Sequence, residues 1–166
     1  MKDAPINLSR LKELLSYDPD TGVFIWKVSR GKVKIGDAAG APDSEGYIKI
    51  GVAGNSYRRG RLAWFYVHGV WPKELIDHIN QDKSDDRLVN LREATKKENQ
   101  RNKRKYKNNK SGYKGVSWNC DNKCWQAAIA HGAGKIALGY FKTKERAYEA
   151  YCEAAKKLHG EFACLT

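Results

Sequence analysis

The sequence predicts an α+β protein built from two small modules joined by a basic segment. Three observations predict it. Apolar residues recur at helical spacing near both ends, at Leu8, Leu11, Leu14 and Leu15 and at Ala147, Tyr151, Ala154 and Leu158. Between them lie short strand-like runs separated by glycine-rich turns, VFIWKV and GYIKIGV in the first half and YKGVSW, WQAAIA and KIALGYF in the second. A stretch from Lys96 to Lys114 carries nine basic residues against one acid, Glu98, and so holds +8 of the net +12. A chain of 166 residues has room for one ordinary domain or two small ones.

The first half opens with the leucine-bearing helix. Asp18-Pro19-Asp20-Thr21-Gly22 then forms a turn before the strand VFIWKV. The run from Gly46 to Val52 makes a second strand, and RLAWFYVHG reads as a short buried helix. In the second half three short antiparallel strands are separated by turns at Cys120–Cys124 and Gly132–Gly134. An amphipathic helix closes the chain, with Thr143 as N-cap, Glu145 in the first turn and Gly160 as its stop. The segment RNKRKYKNNKSG is almost free of apolar side chains and cannot bury itself, so it reads as a basic linker.

A pI near 9.5 calls for a polyanionic partner, nucleic acid or an acidic membrane surface. No apolar run approaches the ~20 residues of a spanning helix, and the N-terminus shows no secretion signal, so a cytoplasmic protein is expected. The cysteines Cys120, Cys124, Cys152 and Cys164 lack zinc-knuckle spacing and are expected as reduced thiols.

Residues 76–102 read IDHINQDKSDDRLVNLREATKKENQRN and carry the chemistry. Asp77-His78 ends an apolar stretch, a polar loop follows, and Leu88-Val-Asn90-Leu91 is expected to return as a second strand. Thr95-Lys-Lys-Glu98 is a capping box that starts a helix, with Asn99 in its first turn. One carboxylate, one imidazole and an amide thus converge. That inventory suits a single hard divalent cation, Mg²⁺ or Mn²⁺, held by oxygens from Asp77 and Asn99, with His78 beside it as general base.

The pattern D-H-I-N-x-D-x-x-D-x-R-L-x-N-L-R followed by E-N-x-x-N resembles the HNH nuclease motif of phage and intron-encoded homing endonucleases, and LSYDPDTGVFIWK and RLAWFYVHGVWP resemble the flank those proteins carry upstream. The second half, SGYKGVSW…CWQAAI…LGYF…ERAYEAYCEAAKKLHGEFA, resembles the APETALA/ethylene-response-factor DNA-binding domain, in which a three-stranded antiparallel sheet packs on one helix and enters the major groove. The resemblances imply an HNH endonuclease region at 1–102 with a ββα-metal core about 74–102, a basic linker at 103–110 and a DNA-binding domain at 111–166. His78 matches the general base, Asp77 and Asn99 the metal ligands, and Asn90 the asparagine that holds the loop and helps orient the imidazole.

Two positions depart from the first family. Gly60 stands where it usually has histidine, in His-Arg-Leu-Ala-Trp, and Asp86 replaces the asparagine of Asp-Asn-Arg, which places an extra carboxylate near the expected metal. In the second family arginines occupy the sheet where this chain has Ser117, Asn119 and Ala130, so bidentate guanine readout is largely lost. Arg101, Lys103, Arg104, Lys105, Lys107, Lys110, Lys114, Trp118, Lys123, Trp125, Gln126 and Lys135 remain as candidate DNA contacts, with Trp125 divided between stacking and core.

The expected function is that of a metal-dependent endonuclease on double-stranded DNA, in the host cytoplasm if phage-encoded. With one catalytic centre per chain, a monomer nicks one strand, and neither a membrane nor a small-molecule substrate is implied. The alternative, kept open by Gly60 and Asp86, is a DNA-binding regulator with a decayed nuclease site.

Overall fold

The computed structural model describes residues 6–103, 105, 108–132 and 134–165; the candidate contacts Arg104 and Lys107 lie outside the described residues. The architecture is α+β, with small antiparallel sheets and few helices. The chain divides into two compact units, Met1–Thr95 and Lys96–Thr166.

In the first unit α1 (Leu8–Leu14) starts where the Asn7 side chain accepts a hydrogen bond from the Arg10 amide. Leu11 faces the core, but Leu15 already opens β1 (Leu15–Asp18), one residue past the helix. This strand pairs with β2 (Val23–Trp26) across the expected Asp18–Gly22 turn. The Asp18 carboxylate fixes that turn by accepting from Thr21 Oγ1 and the Asp20 amide, bonds that lower its pKa.

A three-stranded sheet follows, β3 (Ala41–Pro42), β4 (Ile48–Val52) and β5 (Asn55–Arg58), and leads into α2 (Arg59–His68). Leu11, Leu15, Phe24, Trp26, Ile50, Val52, Leu62 and Phe65 form one core from these elements. The unit ends in a hairpin, β6 (Leu75–His78) against β7 (Leu91–Ala94). The expected strand at Leu88–Leu91 is corrected here. Leu88–Asn90 is a 3₁₀ turn, η1, because Asn90 turns inward to hold the preceding loop and pairing begins at Leu91.

The second unit begins with α3 (Lys96–Arg101), directly after Thr95. Its sheet has the order β10 (Gly134–Phe141), β9 (Cys124–His131), β8 (Val116–Asn119), with α4 (Lys144–His159) packed on one face and η2 (Gly160–Phe162) after it. Thr143 caps α4 by accepting from the Arg146 amide. Ala147, Tyr151 and Ala155 carry its buried stripe against Val116, Ala127 and Ile129.

The end of the basic stretch is more ordered than its composition predicts. Ser111 is buried, and its hydroxyl donates to the Val116 carbonyl while Asn109 Nδ2 donates to the Tyr113 carbonyl. Polar side chains therefore seat this turn without apolar burial.

His159 links the end of α4 to the sheet, with Nε2 donating to the Ala130 carbonyl at 2.9 Å while Nδ1 is buried with no partner among the described residues. Burial, offset in part by the Ala130 bond, lowers its pKa below the ordinary 6.5. The unfolded chain then binds the proton more readily, so this contribution is full above about pH 6.5 and is lost as pH falls through the lowered value. The melting temperature should drop between pH 7 and pH 5.5 in the wild type and drop less in His159→Gln. Equal pH slopes in the two proteins would assign the acid sensitivity elsewhere.

Candidate active site

The hairpin register sets the centre of the site. Asp77 lies directly across from Arg92, whose Nε and Nη2 donate to Asp77 Oδ2 at 3.0 and 2.9 Å. Both side chains are largely buried, so this charge-assisted pair fixes the orientation of the carboxylate. His78, the next residue, points to the opposite face of the hairpin.

There His78 Nε2 lies 2.8 Å from Asp86 Oδ1, while Asp86 Oδ2 accepts from Arg59 Nε at 2.7 Å. Arg59 Nη2 also donates to the Ser84 carbonyl. Asp86 is 1% exposed and His78 6%. Tyr47 flanks the imidazole at 5.9 Å between ring centroids, under the Arg58 and Lys83 cations.

The loop between the strands is closed by Asn90. Its Oδ1 accepts from the Asn80 amide at 2.9 Å, and its Nδ2 donates to the Asp85 carbonyl at 2.7 Å and to Asn80 Oδ1 at 3.0 Å. Asp85 in turn forms a forked pair with Arg87, which together with the other bonds to its carboxylate lowers its pKa to about 2. Asp86 is held from behind as well. Tyr17 Oη donates to its carbonyl at 2.8 Å, and burial followed by the Asp86 charge raises the Tyr17 pKa. Gly22, at φ +72°, lets the β1–β2 turn press on the 86–87 backbone, where a Cβ would collide.

Of the residues expected from the sequence, Asp77, His78 and Asn90 all lie in this first unit, Asp77 and His78 on opposite faces of the hairpin and Asn90 holding the loop beside it. Asn99 is half-buried on α3, in the second unit. Asp86, the extra carboxylate expected near the metal, has both oxygens engaged, one by Arg59 and one by His78. Arg59 lies outside the motif, and Arg92 is its last residue, with no role assigned from the sequence. Their signal lies in pairing, since each complements a buried acid that would otherwise be costly.

Asp77 offers a hard carboxylate oxygen, a donor of the kind that fits Mg²⁺ or Mn²⁺, ions that retain several waters and need few protein ligands. Among the described residues no group of three or more His, Cys, Asp or Glu could enclose a metal.

The second unit separates its candidate contacts by face. Ser117 pairs with Gln126, and Lys135 with Ala130, on the face away from α4, where Tyr140 is 56% exposed beside Gln126. Trp125 lies on the other face, packed with Val116, Ala127 and Ala147, and Trp118 stands edge-on to it while remaining half exposed. Trp125 thus packs half-buried against the core cluster. Lys114 is drawn inward as well, its ammonium donating to the Arg101 and Lys103 carbonyls at the end of α3, and burial lowers its pKa. Lys103, Lys105, Lys110 and Lys123 are exposed or nearly so, and Arg101 is half-buried. Tyr140 was missed because its strand carries an irregularity between Ala137 and Gly139 that resets the alternation.

Residues 57–101 match the HNH endonuclease family, a span that contains Arg59, Gly60, Asp77, His78, Asp86, Asn90, Arg92 and Asn99. The chain is also 34% identical over 107 residues to Protein 3.8 of Escherichia phage T7, covering 64% of this chain and 88% of the phage protein. No solved structure matches the chain. Among the described residues no helix is long and apolar enough to cross a membrane. The buried imidazole on the β6–β7 hairpin thus falls within an HNH endonuclease domain, and the chain belongs to the family of the T7 protein.

Proposed function

We propose that this protein is a metal-dependent DNA endonuclease that nicks one strand per binding event, with His78 as general base. The observation that supports this most is the pairing of His78 with a buried, arginine-neutralised carboxylate inside the HNH-matching region. Burying such a pair is costly, and a carboxylate on one ring nitrogen fixes the orientation that a general base requires.

In this reading His78 takes the proton of the water that attacks the phosphodiester, and Asn90 keeps the 79–87 loop in the shape that presents it. Asp77 and Asn99 would hold the divalent ion, which when bound stabilises charge on the phosphoryl group and the leaving 3′ oxygen. Arg92 orients Asp77 for that task.

The second unit is proposed to bind DNA. Its sheet face offers Ser117, Gln126, Lys135 and Tyr140, with Trp118 at one edge and Lys123 in the adjoining turn, and Lys103, Lys105 and Lys110 supply phosphate contacts. Arg101, and Arg104 and Lys107 from outside the described residues, belong to the same basic set, whereas Lys114 and Trp125 serve the fold. Affinity should therefore fall steeply with salt and vary little with sequence. The decayed-site alternative loses its main support, since Asp86 is neutralised by Arg59 and turned onto the imidazole instead of facing a phosphate.

Cleavage by this route leaves a 5′ phosphate and a 3′ hydroxyl. Nicks made in supercoiled plasmid should therefore be sealed by DNA ligase without end repair. Nicks that ligase seals only after phosphatase and kinase treatment would contradict water attack with a 3′-oxygen leaving group.

A further inference from the structure

We propose that Gly60 and Asp86 act as one unit that sets the tautomer and orientation of His78: Asp86 is a positioning residue, and Gly60 supplies the space it needs. The inference rests on the nuclease reading only for its catalytic consequence. The positioning itself follows from three features of the site.

The first is the carboxylate. Asp86 accepts from Arg59 Nε at 2.7 Å on Oδ2 and is fully buried, so it is held as an acceptor on both oxygens. Its Oδ1 lies 2.8 Å from His78 Nε2. A carboxylate has no proton to give, so Nε2 must donate and the imidazole lone pair resides on Nδ1. Asp86 thereby chooses which nitrogen can act as base.

The second is the space above that oxygen. A Cβ built on Gly60 would lie 2.8 Å from Asp86 Oδ1, the same atom that holds His78, and 3.5 Å from both Ile76 Cγ2 and Leu91 Cδ2. The carboxylate cannot easily yield, because Arg59 holds its other oxygen, Tyr17 holds its carbonyl, and the Gly22 turn presses on its backbone. Any side chain at position 60 therefore acts on the Asp86–His78 bond first. Gly60 has ordinary helical backbone in the first turn of α2, where alanine would otherwise favour the helix. Its lack of a side chain is required by Asp86, not by the helix.

The third is the consequence of exchanging the carboxylate for an amide. In Asp86→Asn the guanidinium of Arg59 would still require an oxygen, so the new side chain would turn its carbonyl to Arg59 and its NH₂ to His78. Nε2 would then have to accept, and the proton would move to Nδ1. Asp86→Asn is thus nearly isosteric yet inverts the tautomer.

Two measurements test this with the full chain. The ¹⁵N resonances of the His78 ring, identified by their loss in His78→Gln, should show a protonated Nε2 and an unprotonated Nδ1 in the wild type under mildly alkaline conditions. In Asp86→Asn they should exchange, with kcat falling by about a hundredfold or more and KM little changed. The second measurement is a double-mutant cycle. Gly60→Ala should lower both melting temperature and cleavage rate in the wild-type background, and should raise the melting temperature in the Asp86→Ala background, where the crowded oxygen is gone.

An unchanged ring signature in Asp86→Asn, or equal effects of Gly60→Ala in both backgrounds, would overturn the proposal even if the wild type cuts DNA normally. A wild type that cuts no DNA but shows both signatures supports the positioning unit and refutes the nuclease reading alone.

Discussion

Replacing His78 with alanine is expected to lower the single-turnover cleavage rate by about 10²–10⁴-fold, the usual range for loss of a general base. DNA affinity should stay close to that of the wild type. The imidazole is 6% exposed and enclosed by Asp86 and Tyr47, whereas in the proposed function affinity comes from phosphate contacts spread over the many lysines and arginines of a chain with net charge +12. The fold should survive, because Asp86 keeps its pair with Arg59 when His78 is removed. Rates at saturating protein and gel-shift titrations on the same duplex separate the two quantities. A variant that cuts as fast as the wild type would remove His78 from the chemistry.

Arg59→Ala should have the largest effect on stability. It leaves the carboxylate of Asp86, whose side chain is 2% exposed, with no guanidinium, and strips the Ser84 carbonyl of its donor. Removing one partner of a buried ion pair costs about 3–5 kcal/mol, since the other charge remains buried. For a unit of this size that corresponds to a fall in melting temperature of roughly 10–30 °C. Arg59→Ala combined with Asp86→Ala should recover part of the loss, because no uncompensated charge is left. Thermal unfolding of the two variants checks this. A double variant less stable than Arg59→Ala alone would mean that Asp86 stabilises the fold without its arginine.

Much of this was legible in the sequence, and the exceptions share a cause. The two amphipathic helices, the Asp18–Gly22 turn and the three strands of the second half were readable because apolar periodicity and turn residues are local signals. Leu15 is a short-range error of the same kind, a leucine in helical register that the chain spends on β1. β5, with the sequence NSYR, shows no apolar alternation and is a strand because it pairs with β4.

In the site, Asp77, His78 and Asn90 could be named because they lie within one short motif. Arg59 could not, since its partner Asp86 is 27 residues away and burial alone makes the pair necessary. The departure of Gly60 and Asp86 from the family pattern was visible, but their complementarity needs the space between them. Gly60 makes room for the oxygen that holds His78. The same limit applies to Trp125 and Lys114. An aromatic beside a lysine-rich stretch reads as a stacking surface until the register turns it toward α4, and a lysine reads as a phosphate contact until two carbonyls claim its ammonium.

The central claim, that an HNH domain in this chain cleaves DNA with a divalent ion, is tested most directly by incubating the full-length protein with supercoiled plasmid in Mg²⁺, in Mn²⁺ and in EDTA. Open-circle product is expected with metal and none with EDTA, while DNA remains shifted on a gel under all three conditions. Equal cleavage in EDTA, or DNA bound but uncut in both metals, would contradict it.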